Sequence, residues 1–130
     1  MNKVLSIAAV SCMCMSCGNL SPEAKKITGN YYNAQISSEL PVFELNGDGT
    51  CIVRNIHPDV LTLEVAGTWN VEDDSLVILN DLTTVKAKGD TSIMGDVAPR
   101  ITRKVVSHDG SALILEKDGI EYLYNRKNTK

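Results

Sequence analysis

Leu61-Thr62-Leu63-Glu64-Val65-Ala66-Gly67-Thr68-Trp69-Asn70-Val71 is the stretch that decides the fold. Its odd positions carry Leu, Leu, Val, Gly, Trp and Val, and its even positions Thr, Glu, Ala, Thr and Asn. Apolar groups on a helix face would recur three and four residues apart, whereas these recur every two. Side chains of a strand alternate between its faces, so this pattern predicts a β-strand with one face in a core and the other toward water.

The same grammar runs outward in both directions. Shorter runs of β-forming residues lie at Tyr31–Ile36, Pro41–Leu45, Thr50–Ile56, Leu76–Asn80, Thr83–Lys88, Arg100–Val106, Ala112–Glu116 and Ile120–Asn125. Between them stand turn-forming clusters: Asn46-Gly47-Asp48-Gly49, Glu72-Asp73-Asp74-Ser75, Lys88-Gly89-Asp90, His108-Asp109-Gly110-Ser111 and Lys117-Asp118-Gly119. Asp-Gly supplies the positive φ that tight hairpins need. Eight or nine short strands joined mainly by hairpins predict an all-β antiparallel meander. A sheet of that size hides its edges most readily by closing into a barrel.

Composition narrows the function classes. The chain has 130 residues and a formal net charge of −3, and its only paired basic residues in the β region are Arg103-Lys104 and Arg126-Lys127. That is no footprint for a polyanion, so a nucleic-acid partner is not expected. The mild acidity reads as solubility.

Three cysteines, Cys12, Cys14 and Cys17, crowd the start, and Cys51 follows alone. Lys3 precedes an uncharged run from Val4 to Met15, too short to cross a bilayer as a helix. Soft-metal ligation by Cys12, Cys14 and Cys17 would need a polar loop and supporting groups that this apolar run lacks. A disulfide framework would need cysteines spread along the chain. A charged start, an apolar core and Ser16 before Cys17 resemble a bacterial lipoprotein signal peptide. The resemblance implies cleavage of residues 1–16 and acylation of Cys17, with diacylglyceryl and fatty acyl (palmitate-type) chains as a membrane anchor. Cys14, Met15 and Ser16 stand where the family prefers Leu and two small residues. Cys12, after Ala9-Val10-Ser11, is the weaker alternative because it shortens the apolar core. Gly18, rather than Asp, after the cysteine favours the outer membrane over the inner. Residues 17–27 are then expected to be a tether, in which Ser21 as N-cap and Pro22 at the first helical position start one helical turn. Residues 28–130 form the β domain.

Gly29-Asn30-Tyr31, Phe43-Glu44-Leu45-Asn46-Gly47-Asp48-Gly49-Thr50, Gly67-Thr68-Trp69 and Ser75-Leu76-Val77-Ile78-Leu79 together resemble the lipocalin-like small domains of bacterial envelope lipoproteins. The resemblance covers residues 28 to about 126. It implies a lipocalin-like barrel in which Gly29, Tyr31, Gly67 and Trp69 close one end and carry no chemistry. The copper-responsive envelope lipoproteins have a similar barrel with a Cys-x-x-Cys after the first strand. Tyr31 to Leu45 here contains no cysteine, so their metal function does not carry over.

The search for chemistry is mostly negative. Asn46-Gly47-Asp48-Gly49-Thr50 begins like a calcium loop, but Cys51 and His57 occupy the places of its Gly and Glu, and its flanks read as strands. His57-Pro58-Asp59 and His108-Asp109-Gly110 read as turns rather than parts of a triad, and no Gly-x-Ser-x-Gly elbow accompanies them. Glu72, Asp73 and Asp74 read as a solvated turn rather than a glycosidase pair. Cys51 shares a strand face with Val53 and Asn55, where an inert buried thiol is expected. Arg103 alternates with Ile101 and Val105, which makes it either a cavity-facing charge or a residue of the barrel rim. No catalytic, cofactor-binding or metal-ligating residue is expected. Two readings remain for a non-enzymatic barrel. One binds a small apolar ligand in a cavity above about 300 Å³, the lower end for ligand sites. The other has a packed interior and meets an envelope protein through the loop carrying Ile93, Met94 and Val97.

Overall fold

The computed structural model describes residues 20–127; Cys17 and the leader lie outside them. Helix α1 (Pro22–Lys26) precedes nine strands: β1 (Gly29–Tyr32), β2 (Phe43–Leu45), β3 (Thr50–His57), β4 (Leu61–Glu72), β5 (Ser75–Asn80), β6 (Lys86–Gly89), β7 (Arg100–His108), β8 (Ala112–Lys117) and β9 (Ile120–Lys127). All pair antiparallel, and eight form a closed circuit, β4-β3-β2-β1-β9-β8-β7-β5-β4. The fold expected from the sequence is therefore present. The quoted stretch is β4, with Leu61, Leu63, Val65, Trp69 and Val71 buried and the residues between them more open.

Strand β4 is longer than any neighbour, and its length organises the barrel. Residues Leu61–Thr68 pair with β3. On the other edge Gly67–Glu72 pair with β5, while Leu61–Glu64 pair with the short β6. The two neighbours succeed each other along one edge, and β5 leaves at Gly67. A Cβ there would lie 2.1 Å from the Leu79 carbonyl oxygen and 3.0 Å from Asn80 Cα. Only glycine lets β5 cross so closely before its chain turns away.

Local chemistry sets the turns. Asp118 and Gly119 form a two-residue loop between β8 and β9 with φ of 55° and 82°, the left-handed pair a type I′ hairpin requires. Asp73 (φ 56°) does the same duty between β4 and β5. Val106 is an extra residue in β7 where the register with β8 shifts between Val105 and Ser107.

Three expected strands are shorter than predicted: Pro41–Leu45 is reduced to Phe43–Leu45, and the other two are cut back for one shared reason. Tyr31–Ile36 ends at Tyr32 because the Asn33 side chain accepts from the Gln35 N–H at 3.1 Å, folding the backbone into a turn. Thr83–Lys88 begins only at Lys86 because Asp81 accepts from the Thr83 N–H (3.0 Å) and hydroxyl (2.6 Å), capping a 3-10 turn at Leu82–Thr84. Short polar side chains that bond nearby backbone N–H groups outcompete the ladder.

One end of the barrel is plugged. Leu20, Ala24 and Ile27 join Tyr31, Phe43, Leu45, Cys51, Trp69, Val71, Leu76, Ile78, Leu113 and Leu115 in one core. Ser21 caps α1 by accepting from the Ala24 N–H at 3.1 Å, with Pro22 behind it. The Ser21 N–H donates to Asn70 Oδ1 (2.9 Å) and its hydroxyl to the Val71 carbonyl (2.8 Å), fastening the helix to the end of β4. The opposite end, the mouth, is built from the turns after β1, β3 and β8 and the long segment between β5 and β7.

Candidate ligand-binding site

Register fixes which side chains face inward. Paired positions across the circuit bring Cys51, Val53 and Asn55 of β3 level with Gly67, Val65 and Leu63 of β4, and Ile101 and Arg103 of β7 level with Ile78 and Leu76 of β5. Tyr122 and Tyr124 of β9 stand opposite Leu115 and Leu113. Leu76, Ile78, Leu113 and Leu115 are fully buried, so their partners share the interior face.

Below the mouth the inward residues leave a cavity of about 150 Å³. Its walls are Val53, Leu63, Val65, Val85 and Ile101, and the segment Gly95–Ala98 lies over it. Asn80 holds that lid: its backbone N–H donates to the Pro99 carbonyl and its Nδ2 to the Ala98 carbonyl, both at 2.9 Å. Thr84 braces the other side, its hydroxyl accepting from the Ala66 N–H at 2.9 Å. The volume is half the lower bound expected for an ordinary ligand site. Asn55, Glu64, Asn80 and Asp96 also border the cavity, and a space of this volume can hold a molecule the size of benzene against the apolar walls.

The lid divides the three residues expected to form a partner surface. Val97 is half-buried and lines the cavity, while Ile93 and Met94, at the end of a 3-10 turn capped by Asp90, are 48% and 41% exposed. Ile36, Leu40, Val60 and Ile120 are exposed on other mouth segments, so the opening has an apolar rim.

Of the four residues expected to close an end, Gly29, Tyr31 and Trp69 lie toward the plug and Gly67 does not. Tyr31 is buried and donates its hydroxyl to the Ile27 carbonyl at 2.9 Å; burial pushes its phenol pKa up, and the Arg126 charge partly offsets this. Trp69 is buried and its Nε1–H donates to the Asn46 carbonyl at 2.9 Å. Gly29 opens β1, and Gly67 sits mid-barrel, at the departure of β5. Cys51 is buried beside them, with its thiol pushed up to about 12 by desolvation. A thiol in that state is neither a nucleophile nor a metal ligand at neutral pH.

The other ionisable groups are tied into turns. Asp48 accepts from the N–H and hydroxyl of Thr50, which lowers its pKa and occupies the carboxylate a calcium loop would need. Asp109 accepts from the Ser111 and Ala112 N–H groups, so it braces the hairpin instead of orienting His108. His57 ends β3 at the mouth and His108 ends β7 at the plugged end. No group of three or more His, Cys, Asp or Glu among the described residues could hold a metal ion.

Sequence reasoning missed Asn80 and Val85, because their role depends on where β5 leaves β4. It also missed an ion-paired guanidinium on the outer wall: Arg54 lies between Glu44 and Glu64, bonding Glu64 at 3.1 Å. Its neighbourhood forms an outer recess of about 660 Å³, and a second of about 450 Å³ lies beside Leu20, Val77 and Leu79. Both are on the outside of the sheet.

No protein-family model and no curated protein matches this chain. Among solved structures, the chain is similar to a lipocalin-like protein from Bacteroides uniformis, with a TM-score of 0.53, 18% identity, and coverage of 78% of this chain and 99% of that one. An uncharacterized protein from Bacteroides eggerthii overlays at a TM-score of 0.45 with 11% identity, covering 77% of this chain and 95% of that one. The first likeness agrees with the strand circuit: the fold is a lipocalin-like barrel.

Proposed function

We propose that this chain is a lipid-anchored cell-envelope protein, held at the outer membrane through Cys17, whose barrel binds a small apolar ligand at its mouth and catalyses no reaction on it. The observation that carries the ligand half is the 150 Å³ cavity walled by Val53, Leu63, Val65 and Ile101 under a lid of its own. Largely apolar walls with a few polar groups are the usual composition of a small-molecule site. The anchor rests on the leader sequence ending at Ser16-Cys17. Two or more acyl chains give lasting membrane attachment where one does not.

Anchor and fold together orient the molecule. Only Gly18 and Asn19 separate Cys17 from Leu20, which is buried against the plug. Three residues of extended chain span about 10 Å. An acylated Cys17 therefore holds the plugged end against the bilayer and turns the mouth away, so ligand enters from the aqueous side.

Two measurements test the reading. Intact-mass analysis of protein from its native host is expected to show residues 1–16 gone and lipid mass on Cys17; an unmodified, uncleaved chain would refute the anchor. Methyl NMR during a toluene titration is expected to shift Leu63, Val65 and Ile101 together and saturably; no shift at saturating toluene would refute the ligand site. The rival reading, an interaction module, is favoured by the exposure of Ile93 and Met94, and predicts a partner whose binding is lost in a Met94→Asp variant.

A further inference from the structure

The recess outside β4 and β5 has a volume of about 450 Å³ against about 150 Å³ for the interior cavity, and the ligand reading does not use it. Val77 and Leu79 alternate with Leu76 and Ile78, which are fully buried inside the barrel, so both belong to the outer wall. The outer face of an antiparallel sheet is ordinarily polar. Here Val77 and Leu79 are both apolar, Leu79 is 48% exposed, and both line the recess. Leu20, where the described chain begins, lines it as well. The next residue fastens the chain at the same place: the Ser21 N–H bonds Asn70 Oδ1, and Asn70 stands opposite Val77 in the β4–β5 register.

Two polar groups at the border of the recess are already engaged. Asp48 accepts from the Thr50 N–H at 2.9 Å and from its hydroxyl at 2.6 Å. Asn70 Oδ1 accepts from the Ser21 and Val71 N–H groups, both at 2.9 Å. The ionisable side chains lining the recess are Asp48 and Glu72, both acidic. An anionic occupant, such as a free fatty acid, would be repelled by them. A neutral apolar occupant meets Leu20, Val77 and Leu79 and displaces no bond of the chain.

The anchor supplies such an occupant within reach. Cys17 lies three residues before Leu20, and three residues of extended chain span about 10 Å. Acyl chains held on Cys17 by ester and amide bonds carry no charge. Two chains suffice for lasting membrane attachment, so a third need not enter the bilayer. Resting on the lipid anchor proposed above, we propose that one acyl chain of Cys17 folds back into this recess against Leu20, Val77 and Leu79 while the others enter the membrane. Docked in this way, the anchor limits the swivel of the barrel, and the β4–β5 corner of the plugged end is the part nearest the lipid.

The test is photocrosslinking of the full lipoprotein in its native host, grown on a fatty acid that carries a diazirine in mid-chain. Irradiation, digestion of the monomer band and mass spectrometry are expected to find the lipid-bearing Cys17 peptide joined to the β5 peptide at Val77 or Leu79. Leu79→Glu sets a charge on the apolar floor and is expected to abolish that link. A lipid-bearing Cys17 with no link to β5 would overturn the docking. A link found only in a dimer band would overturn it in favour of a second copy, and β5 adducts of phospholipid alone would overturn it in favour of bilayer lipid. A link undiminished in Leu79→Glu would overturn it too; if that variant fails to fold, the wild-type map decides by itself. A Cys17 without lipid would instead remove the anchor reading beneath it.

Discussion

Gly67→Ala puts the β4–β5 crossing under direct strain. The added Cβ would lie 2.1 Å from the Leu79 carbonyl oxygen, where carbon–oxygen contacts settle at about 3.3–3.6 Å. The obstruction is backbone, so the end of β5 must move by roughly 1 Å. Three bonds depend on its position: Asn80 N–H to Pro99 O at 2.9 Å, Asp81 N–H to Ala66 O at 2.8 Å, and Asn80 Nδ2 to Ala98 O at 2.9 Å. At about 0.5–1.5 kcal/mol each, their loss costs about 1.5–4.5 kcal/mol. Against this stands a gain of about 0.4–1 kcal/mol from restricting the unfolded chain, leaving a net loss of about 0.5–4 kcal/mol. Gly47→Ala is the control, because a Cβ there meets nothing within 4 Å. Urea denaturation of both variants reads the difference, with the control within about 0.5 kcal/mol of wild type. The lid bonds are lost with the strand end, so Gly67→Ala should also lose amide protection at Asn80 and Asp81. A Gly67→Ala protein as stable as the control would refute the close approach and its role in seating the lid.

Three further outcomes follow from the same structure. Trp69→Phe removes the indole N–H bond to the Asn46 carbonyl, which keeps its bond from the Gly49 N–H, and should cost about 0.5–1.5 kcal/mol in chemical denaturation; no loss would show that water replaces the indole bond. Cys51, buried and with its thiol pushed up to about 12, should resist thiol reagents at pH 8 until the barrel unfolds; fast labelling of native protein would contradict its placement. Asp81 and Asp90 have pKa values lowered by bonds from Thr83 and Ser92. Their contribution is complete above the ordinary carboxylate value near 3.9 and is lost as pH falls through the lowered native values. The Thr83 and Ser92 amide resonances should therefore shift at acid pH, and constant shifts down to about pH 2 would deny the caps.

The parts legible in the sequence were those governed by local alternation. Leu61 to Val71 reads correctly because the two faces of β4 meet different surroundings, and Ile101-Thr102-Arg103 reads correctly for the same reason on β7. Strand ends were less legible where Asn33 and Asp81 bond nearby backbone, since such residues also occur within edge strands and the choice depends on what the next strand offers. The Gly95–Ala98 lid was opaque for a different reason. Val97 and Met94 are equally apolar, and only the departure of β5 at Gly67 decides which of them covers the cavity. Cavity volume is not a sequence property at all, because it is the residue left after neighbouring side chains have packed.

A crystal pressurised with xenon tests the interior site most directly. Xenon density bounded by Val53, Leu63, Val65 and Ile101 is the predicted result, with the Gly95–Ala98 segment in place above it. Side chains filling that space, with no xenon inside the barrel, would contradict the account.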